Sequence, residues 1–104
     1  MLAAVWLCAV TATQAQNLQM DSMTLAVNLG NLLASETPCS MSYNQAAISD
    51  FVSKSVRADD MDFNSTLAMM TAGSRVQIQN MSPSAKTAFC AQAVRVARFY
   101  GFIR

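Results

Sequence analysis

Apolar residues recur at helical spacing along most of the chain, and the first clear stripe predicts a helix from residue 21 or 22 to residue 34. Its leucines stand at i, i+4, i+7 and i+8: Leu25, Leu29, Leu32 and Leu33. Thr37 and Pro38 end this segment, because proline disfavours helical backbone at the residue before it. Cys39 is therefore expected in a loop or just after one.

A second amphipathic helix is predicted to follow, with Ser42 or Asn44 as its N-terminal cap. Its apolar face consists of Ile48, Phe51, Val52 and Val56. Its opposite face is polar and consists of Gln45, Ser49, Asp50, Ser53 and Lys54. This separation of apolar and polar positions is typical of a helix that packs one side against a core.

The third predicted helix begins near Asp59 or Asp60, since carboxylates cap free amides and oppose the helix dipole. Its apolar stripe consists of Phe63, Leu67 and Met70. Gly73 weakens the pattern, and residues 76–79 alternate as a strand would. A lone short strand has nothing to pair with, so we expect a continued helix or a second short one there.

The strongest start signal precedes the last helix, where Ser82 is the expected cap and Pro83 the expected first helical residue. Its apolar stripe consists of Phe89, Ala93, Val96, Ala97 and Tyr100. Gly101 is placed to end this helix. The whole pattern predicts an all-α fold, a small bundle of about four helices.

Before these helices, the uncharged apolar run of residues 2–10 leads into a short stretch of small and polar residues. This order predicts a secretory signal peptide at residues 1–15, followed by a single helical domain at residues 16–104, because the run is too short to span a bilayer. No Lys or Arg precedes the run, and cleavage after Ala12 is the alternative to cleavage after Ala15. A buried N-terminal helix of a cytosolic protein is the competing interpretation.

Cys39 and Cys90 remain once such a signal is removed, and export into an oxidising compartment makes them expected disulfide partners. Closing a loop of 51 residues would stabilise the fold by about 4 kcal/mol, because the bond restricts the unfolded chain. The bond would tie the last helix to the loop before the second helix. Two separate buried thiols are the alternative.

The net charge of +1 at pH 7 gives no indication of a nucleic-acid partner, but the charges are unevenly distributed. The acids all precede residue 63: Asp21, Glu36, Asp50, Asp59, Asp60 and Asp62. The later part is purely basic, with Arg75, Lys86, Arg95, Arg98 and Arg104. Either the two parts fold onto each other with complementary surfaces, or the basic part meets an external anionic partner.

The composition argues against catalysis and against most metal sites. Without histidine, the chain lacks the usual general base near neutral pH and the commonest zinc and copper ligand. Two distant cysteines form neither a zinc site nor a C-x-x-C redox pair. Ser53 and Lys54 are adjacent in the sequence. They are therefore not arranged on one helix face as a nucleophile and its base would be. We therefore predict no catalytic residue, no metal site, no cofactor and no enzymatic activity.

Residues 60–64 match the opening of a calcium-binding loop, with carboxylates at alternate positions. The match then fails. Ser65 stands where the loop needs glycine for its sharp turn, and Thr71 stands where it needs a bidentate glutamate. We interpret these carboxylates as helix caps.

Methionine is the other unusual feature, with eight in the chain. Met20 and Met23 share a possible helix face, and thioethers bind Cu(I), which makes a copper carrier one alternative. Flexible core packing explains methionines equally well, and so do adaptable surfaces that bind partners. The predicted partner surface consists of Met69, Met70, Arg95 and Arg98. The alternatives are that Met70 is buried in the core, and that the two arginines face solvent or the acidic residues 59–62.

Residues 39–47, 58–61 and 81–90 carry a resemblance that covers most of the chain after the signal. On these segments the chain resembles small uncharacterised secreted helical proteins of alphaproteobacteria, which have a signal peptide and a single disulfide. The resemblance implies that fold and location but no activity. In layout the chain is also similar to periplasmic acid-stress chaperones, whose acid switch depends on carboxylates that neutralise; this chain has only six acids.

These observations together predict a non-catalytic periplasmic or secreted protein that engages a protein or peptide partner. No nucleic-acid partner and no stable membrane insertion after signal cleavage are expected, and the oligomeric state stays open. The first alternative is a stress-response role as an acid-activated periplasmic chaperone. The second is Cu(I) carriage by methionines.

Overall fold

The computed structural model describes residues 21–104, and all regular secondary structure in this part of the chain is helical. The helices are α1 (Asp21–Ser35), α2 (Gln45–Ser55), α3 (Phe63–Gln79) and α4 (Pro83–Phe99). The all-α prediction is confirmed. The predicted signal peptide and Met20 lie outside the described residues. No helix within residues 21–104 is long and apolar enough to cross a membrane.

The predicted caps of α2 and α4 are confirmed. Asn44 Oδ1 accepts a hydrogen bond from Ala47 N at 3.1 Å, and Ser82 Oγ accepts one from Ala85 N at 3.2 Å. Each cap satisfies an amide that the first turn of a helix leaves without a carbonyl partner. Pro83 occupies the first helical position, where the missing N–H removes no hydrogen bond within the helix.

The start of α3 differs from the prediction, since the helix begins at Phe63 rather than near Asp59 or Asp60. Asp60 caps the helix from the turn before it. Its Oδ1 accepts a hydrogen bond from Phe63 N at 3.1 Å, and its Oδ2 accepts one from Ser22 Oγ at 2.9 Å. The carboxylate thus joins the start of α1 to the start of α3. Residues 76–79 continue α3 without a break, which is the first of the two expected outcomes.

The core is centred on α1, which packs extensively against α3 and touches α4 over a smaller area. Leu29 and Leu32 of α1 and Phe63 of α3 are buried members of one core cluster. At Gly30 the two helices approach so closely that a Cβ atom would stand 2.8 Å from Met70 Cβ. Glycine at this position therefore sets the short separation of α1 and α3.

The two helical glycines are expected to respond to alanine in opposite directions. Gly30→Ala forces a methyl group against Met70 and the backbone of Thr71, and overpacking of this kind destabilises by about 1–3 kcal/mol. Gly73→Ala meets no atom within 4 Å and stabilises by roughly 0.5–1 kcal/mol, since alanine is the better helix former. Urea unfolding of both variants measures the difference. Equal free energies of unfolding would contradict the close packing at Gly30.

A Schellman motif ends α4. Gly101 has a φ of 78°, its N–H donates to Arg98 O at 3.0 Å, and the N–H of Phe102 donates to Ala97 O at 2.9 Å. The left-handed backbone at Gly101 suits glycine, which has no Cβ to clash. The prediction that Gly101 ends the helix is confirmed. The turn also redirects the chain so that Phe102 points back into the core.

Phe102 is fully buried and joins the end of the chain to α2. Its ring packs against Tyr43, Tyr100 and Phe51, with ring centroids 5.7, 5.8 and 5.9 Å away. Its carbonyl oxygen accepts a hydrogen bond from Asn44 N at 2.8 Å. The residues after α4 thus form part of the core.

The predicted disulfide between Cys39 and Cys90 is confirmed, with an S–S distance of 2.07 Å and a Cα–Cα distance of 5.3 Å. It joins the middle of α4 to the turn that follows α1. Ala93 and Ala97, both small, are the buried residues within α4. α4 is therefore held at its middle by the disulfide at Cys90 and at its C-terminal end by Phe102, with Ala93 and Ala97 packed between these points, while residues 83–88 are exposed.

The idea that the acidic and basic parts of the chain fold onto each other is not supported. Two ion pairs occur in the described residues, and both are local and exposed: Asp50 with Lys54 at 3.0 Å and Arg57 with Asp59 at 2.8 Å. Such surface pairs contribute little to stability. Within residues 21–104, the arginines of α4 form no ion pair with the acidic turn at residues 59–62.

Candidate binding groove between helices α1 and α4

A groove of about 330 Å³ runs between α1 and α4. On the α1 side it is lined by Asn28, Asn31, Leu32 and Ser35. On the α4 side it is lined by Phe89, Gln92, Ala93, Val96 and Tyr100. We refer to these nine residues as the α1–α4 groove.

The groove arises from the way α4 is attached. Ala93 brings the backbone of α4 close to α1, while the larger side chains on either side of it, Phe89 and Val96, remain half-buried. Four residues of the predicted apolar stripe of α4 therefore line the groove: Phe89, Ala93, Val96 and Tyr100. An apolar stripe that packing would normally bury is left partly open, because only the small residues Ala93 and Ala97 of α4 are fully packed against the rest of the fold.

Side-chain amides border this apolar floor. Asn28 and Asn31 lie one helical turn apart on α1, and Gln92 lies on α4. Asn31 Oδ1 accepts a hydrogen bond from Ser74 Oγ of α3, which fixes the orientation of the amide and leaves its N–H donors for another acceptor. No lining residue is an acid or a base, so the groove suits an uncharged group that combines apolar and hydrogen-bonding parts.

A buried hydroxyl network supports the α1 wall. Ser35 Oγ and Tyr43 Oη both donate to Leu32 O, at 2.6 and 2.8 Å, and the two hydroxyls lie 3.0 Å apart. Glu36 Oε2 accepts a hydrogen bond from Tyr43 N at 2.8 Å. These contacts hold the loop after α1 against the end of that helix. The hydroxyl of Ser35 is thus engaged in structure.

Burial raises the pKa of Tyr43 above its ordinary value of 10.0, with the nearby Glu36 carboxylate acting in the same direction and the Ser35 hydrogen bond opposing them. The folded protein therefore keeps the phenol proton at a pH where the unfolded chain loses it. Stability contributed by this group is fully present below pH 10.0 and declines as the pH rises beyond it. Unfolding free energies measured from about pH 8 to about pH 11 should show this decline. Tyr43→Phe should show a shallower one, and identical profiles would contradict the assignment.

The residues predicted as a partner surface lie on two helices that both pack against α1. Met69 on α3 is 68% exposed, whereas Met70 is half-buried and faces Gly30 across the helix contact. Arg95 and Arg98 are exposed on α4. Arg95 lies beside the groove, since its guanidinium donates to Gln92 Oε1 at 3.4 Å.

Sequence reasoning missed the groove and its amide rim. A signal for it is present at Asn28 and Asn31, because asparagine is a poor residue for a helix interior. Both asparagines stand between the core leucines of α1, where an alanine or a leucine would favour the helix more. These two positions are the sequence signal for the amide rim of the groove.

In the described residues the calcium-loop hypothesis has no cluster of acids to support it, and Cu(I) carriage by methionines stays a prediction. Within residues 21–104 there is no group of three or more acids or cysteines close enough to hold an ion. Both carboxylate oxygens of Asp60 are occupied by hydrogen bonds to Phe63 and Ser22, as a cap requires. Met23 is 58% exposed, and its suggested partner Met20 lies outside the described residues.

No protein-family profile matches the chain, and neither a curated protein nor a solved structure is significantly similar to it.

Proposed function

We propose that this protein is a small non-catalytic binding protein, periplasmic or secreted, whose α1–α4 groove takes an apolar side chain of a peptide or protein partner. The observation that carries this proposal is the groove of about 330 Å³, with an apolar floor and an amide rim. Its volume falls at the lower end of the range for ligand sites, which suits one or two side chains.

The chemistry of the rim favours a peptide over an apolar small molecule. A peptide backbone offers alternating carbonyl acceptors and N–H donors, and side-chain amides supply both complements. Asn28 and Gln92 stand on opposite walls, so a peptide that lies along the groove meets an amide on each side. Its side chain then contacts Phe89 and Val96, whose partly exposed surface is removed from water.

The location is supported by the disulfide. A bond between Cys39 and Cys90 persists in oxidising compartments and is rare in the cytosol. The apolar run of residues 2–10 supports export by a signal peptide. Both observations agree with a periplasmic or secreted protein.

The test uses the disulfide-intact, isotopically labelled protein and the neutral probe acetyl-Ala-Leu-Ala-amide, followed by nuclear magnetic resonance. We expect saturable shifts of backbone amides concentrated at Asn28, Asn31, Gln92 and Val96. Shifts confined to other surfaces, or none up to about 10 mM, would reject the groove as the binding site.

Two matched substitutions place the probe in the groove. Val96→Asp puts a charge on the apolar floor and is expected to abolish binding, whereas Val76→Asp puts the same charge on an exposed position of α3 and leaves binding intact. Gln92→Ala keeps the core unchanged because Gln92 is exposed, and loss of one hydrogen bond lowers affinity about 5-fold. Unaltered binding in both groove variants would contradict the proposal.

An acid-activated chaperone is the second candidate, because two carboxylates hold segments of the fold in place. Glu36 accepts from Tyr43 N, and Asp60 joins α1 to α3. At a pH below about 3, where carboxylates in general are neutralised, loss of such contacts would expose apolar surface. Binding of 1-anilinonaphthalene-8-sulfonate and suppression of client aggregation at that pH measure this activity. Absence of both would remove the candidate.

A further inference from the structure

We propose that the partner is an acidic peptide, with carboxylates beside the apolar side chain that enters the α1–α4 groove. The carboxylates would be held by a cationic edge, which we define as Arg95, Arg98 and Phe99 of α4 together with Arg104. This inference rests on the proposed function of the groove and specifies its partner.

The cationic edge adjoins the groove at Arg95 and Phe99. It continues round α4 to Arg98, which lies one turn from Arg95 and contacts Arg104. Helical geometry places Gln92, Arg95 and Phe99 in one stripe at i, i+3 and i+7, directly beside the row that lines the groove. Phe99 is 83% exposed, and its ring packs edge-on against the ring of Tyr100 at 5.4 Å. Because Tyr100 belongs to the groove lining, the apolar floor extends onto an exposed aromatic ring.

Exposed phenylalanine at this position indicates a contact surface. A single exposed apolar residue is common, but Phe99 adjoins an open apolar groove on one side and Arg95 on the other. Aromatic residues and arginine are the types most enriched at the centres of protein interfaces. The combination fits a peptide better than a small apolar molecule.

The charges of the cationic edge are available to a ligand. In the described residues the ion pairs are Asp50–Lys54 and Arg57–Asp59, neither of which includes the edge. Arg95 donates to the neutral Gln92 Oε1, and Arg98 Nε donates to Arg104 O, both at 3.4 Å. These distances lie at the long limit for hydrogen bonds, and a carboxylate is the stronger acceptor for a guanidinium.

The surroundings of the edge contain nothing that repels an anion. The sequence has no acid after Asp62, so α4 and the residues after it are purely basic. The facing wall of α1 has no ionisable residue from position 22 to position 35. Glu36 follows that wall, and its carboxylate is engaged by Tyr43 N. A carboxylate on the peptide therefore meets arginine and amides alone.

The test compares three peptides on the disulfide-intact protein: acetyl-Glu-Leu-Glu-amide, acetyl-Ala-Leu-Ala-amide and acetyl-Lys-Leu-Lys-amide. At about 20 mM salt we expect the acidic peptide to bind about 3- to 30-fold more tightly than the neutral one, from two exposed ion pairs, and the basic peptide to bind most weakly. At about 500 mM salt the advantage should largely disappear, because exposed charges are screened.

Substitutions assign the preference to the edge. Arg95→Gln and Arg98→Gln should reduce the acidic preference and leave binding of the neutral peptide unchanged. Arg75→Gln removes an exposed charge from α3 and should keep the preference intact. Phe99→Ser should weaken binding of all three peptides, and its exposed position makes a loss of folding unexpected.

The outcomes separate this inference from the proposed function. If the neutral and acidic peptides bind equally, the acidic partner is wrong while the groove stands. If the neutral peptide does not bind, the proposed function is wrong, and the acidic-peptide proposal that rests on it is wrong as well. If vesicles containing phosphatidylglycerol bind the edge and displace the acidic peptide, the edge serves a membrane surface and the acidic-peptide proposal is overturned.

Discussion

Replacing both Cys39 and Cys90 by serine is expected to lower the free energy of unfolding by about 4 kcal/mol, because the bond closes a loop of 51 residues. Domains of this size are stable by only about 5–15 kcal/mol in total, so the loss is a large fraction of the whole. We also expect the double substitution to disrupt the α1–α4 groove more strongly than it destabilises the domain as a whole. Cys90 adjoins Phe89, and without the bond the first half of α4 is left with little packing to hold it.

Urea unfolding followed by circular dichroism measures the stability, and titration with the neutral peptide measures the groove. The wild-type protein in reductant is the matched control, since it lacks the bond but retains both cysteines. It should behave like the double serine variant in both measurements. A double variant with wild-type stability and wild-type peptide affinity would show that α4 does not depend on the disulfide.

Phe102→Ala is the second substitution with a large expected effect, a loss of about 3–5 kcal/mol. The ring is fully buried and contacts three other aromatic rings, so its removal leaves a cavity that the rigid neighbours cannot fill. The hydrogen bond from Asn44 N–H to Phe102 O is weakened as well, because the buried ring no longer fixes the position of that carbonyl. We expect a lower urea midpoint and a weaker near-ultraviolet circular dichroism signal from the tyrosines.

Phe99→Ala provides the control for Phe102→Ala. The two phenylalanines lie three positions apart, but Phe99 is 83% exposed and Phe102 is buried. Removal of the exposed ring should change stability by less than about 0.5 kcal/mol. Similar losses for the two variants would contradict the placement of Phe102 in the core.

Most of the helical framework is predictable from local signals. Asn44 and Ser82 cap their helices as expected, and Gly101 ends the last one, because each acts on backbone groups within a few residues. The apolar stripes likewise report which face of a helix is buried. The disulfide could be inferred because the sequence after the predicted signal peptide contains two cysteines, which leave one pairing.

The features that depend on distant contacts could not be inferred in this way. Phe102 follows a helix-ending glycine, so the local sequence gives no reason to expect it in the core. It is nevertheless buried there, because its ring packs against Tyr43 and Phe51. The α1–α4 groove arises because α4 is attached through Cys90, two small buried alanines and Phe102, and no local pattern encodes that attachment. Gly30 likewise reveals its role only when Met70 is placed opposite it.

A covalent bond holds α4 at Cys90, whereas non-covalent contacts hold it at Phe102. The two attachments therefore differ in how easily they open. Thermal fluctuation leaves a covalent bond at Cys90 intact but breaks the hydrogen bond and ring contacts at Phe102. Low-energy openings therefore release the second half of α4 while Cys90 holds the middle of the helix, and they widen the groove at the Tyr100 end. In native-state hydrogen exchange, the amide of Asn44 would report each of these openings, because its hydrogen is released whenever the carbonyl of Phe102 moves away.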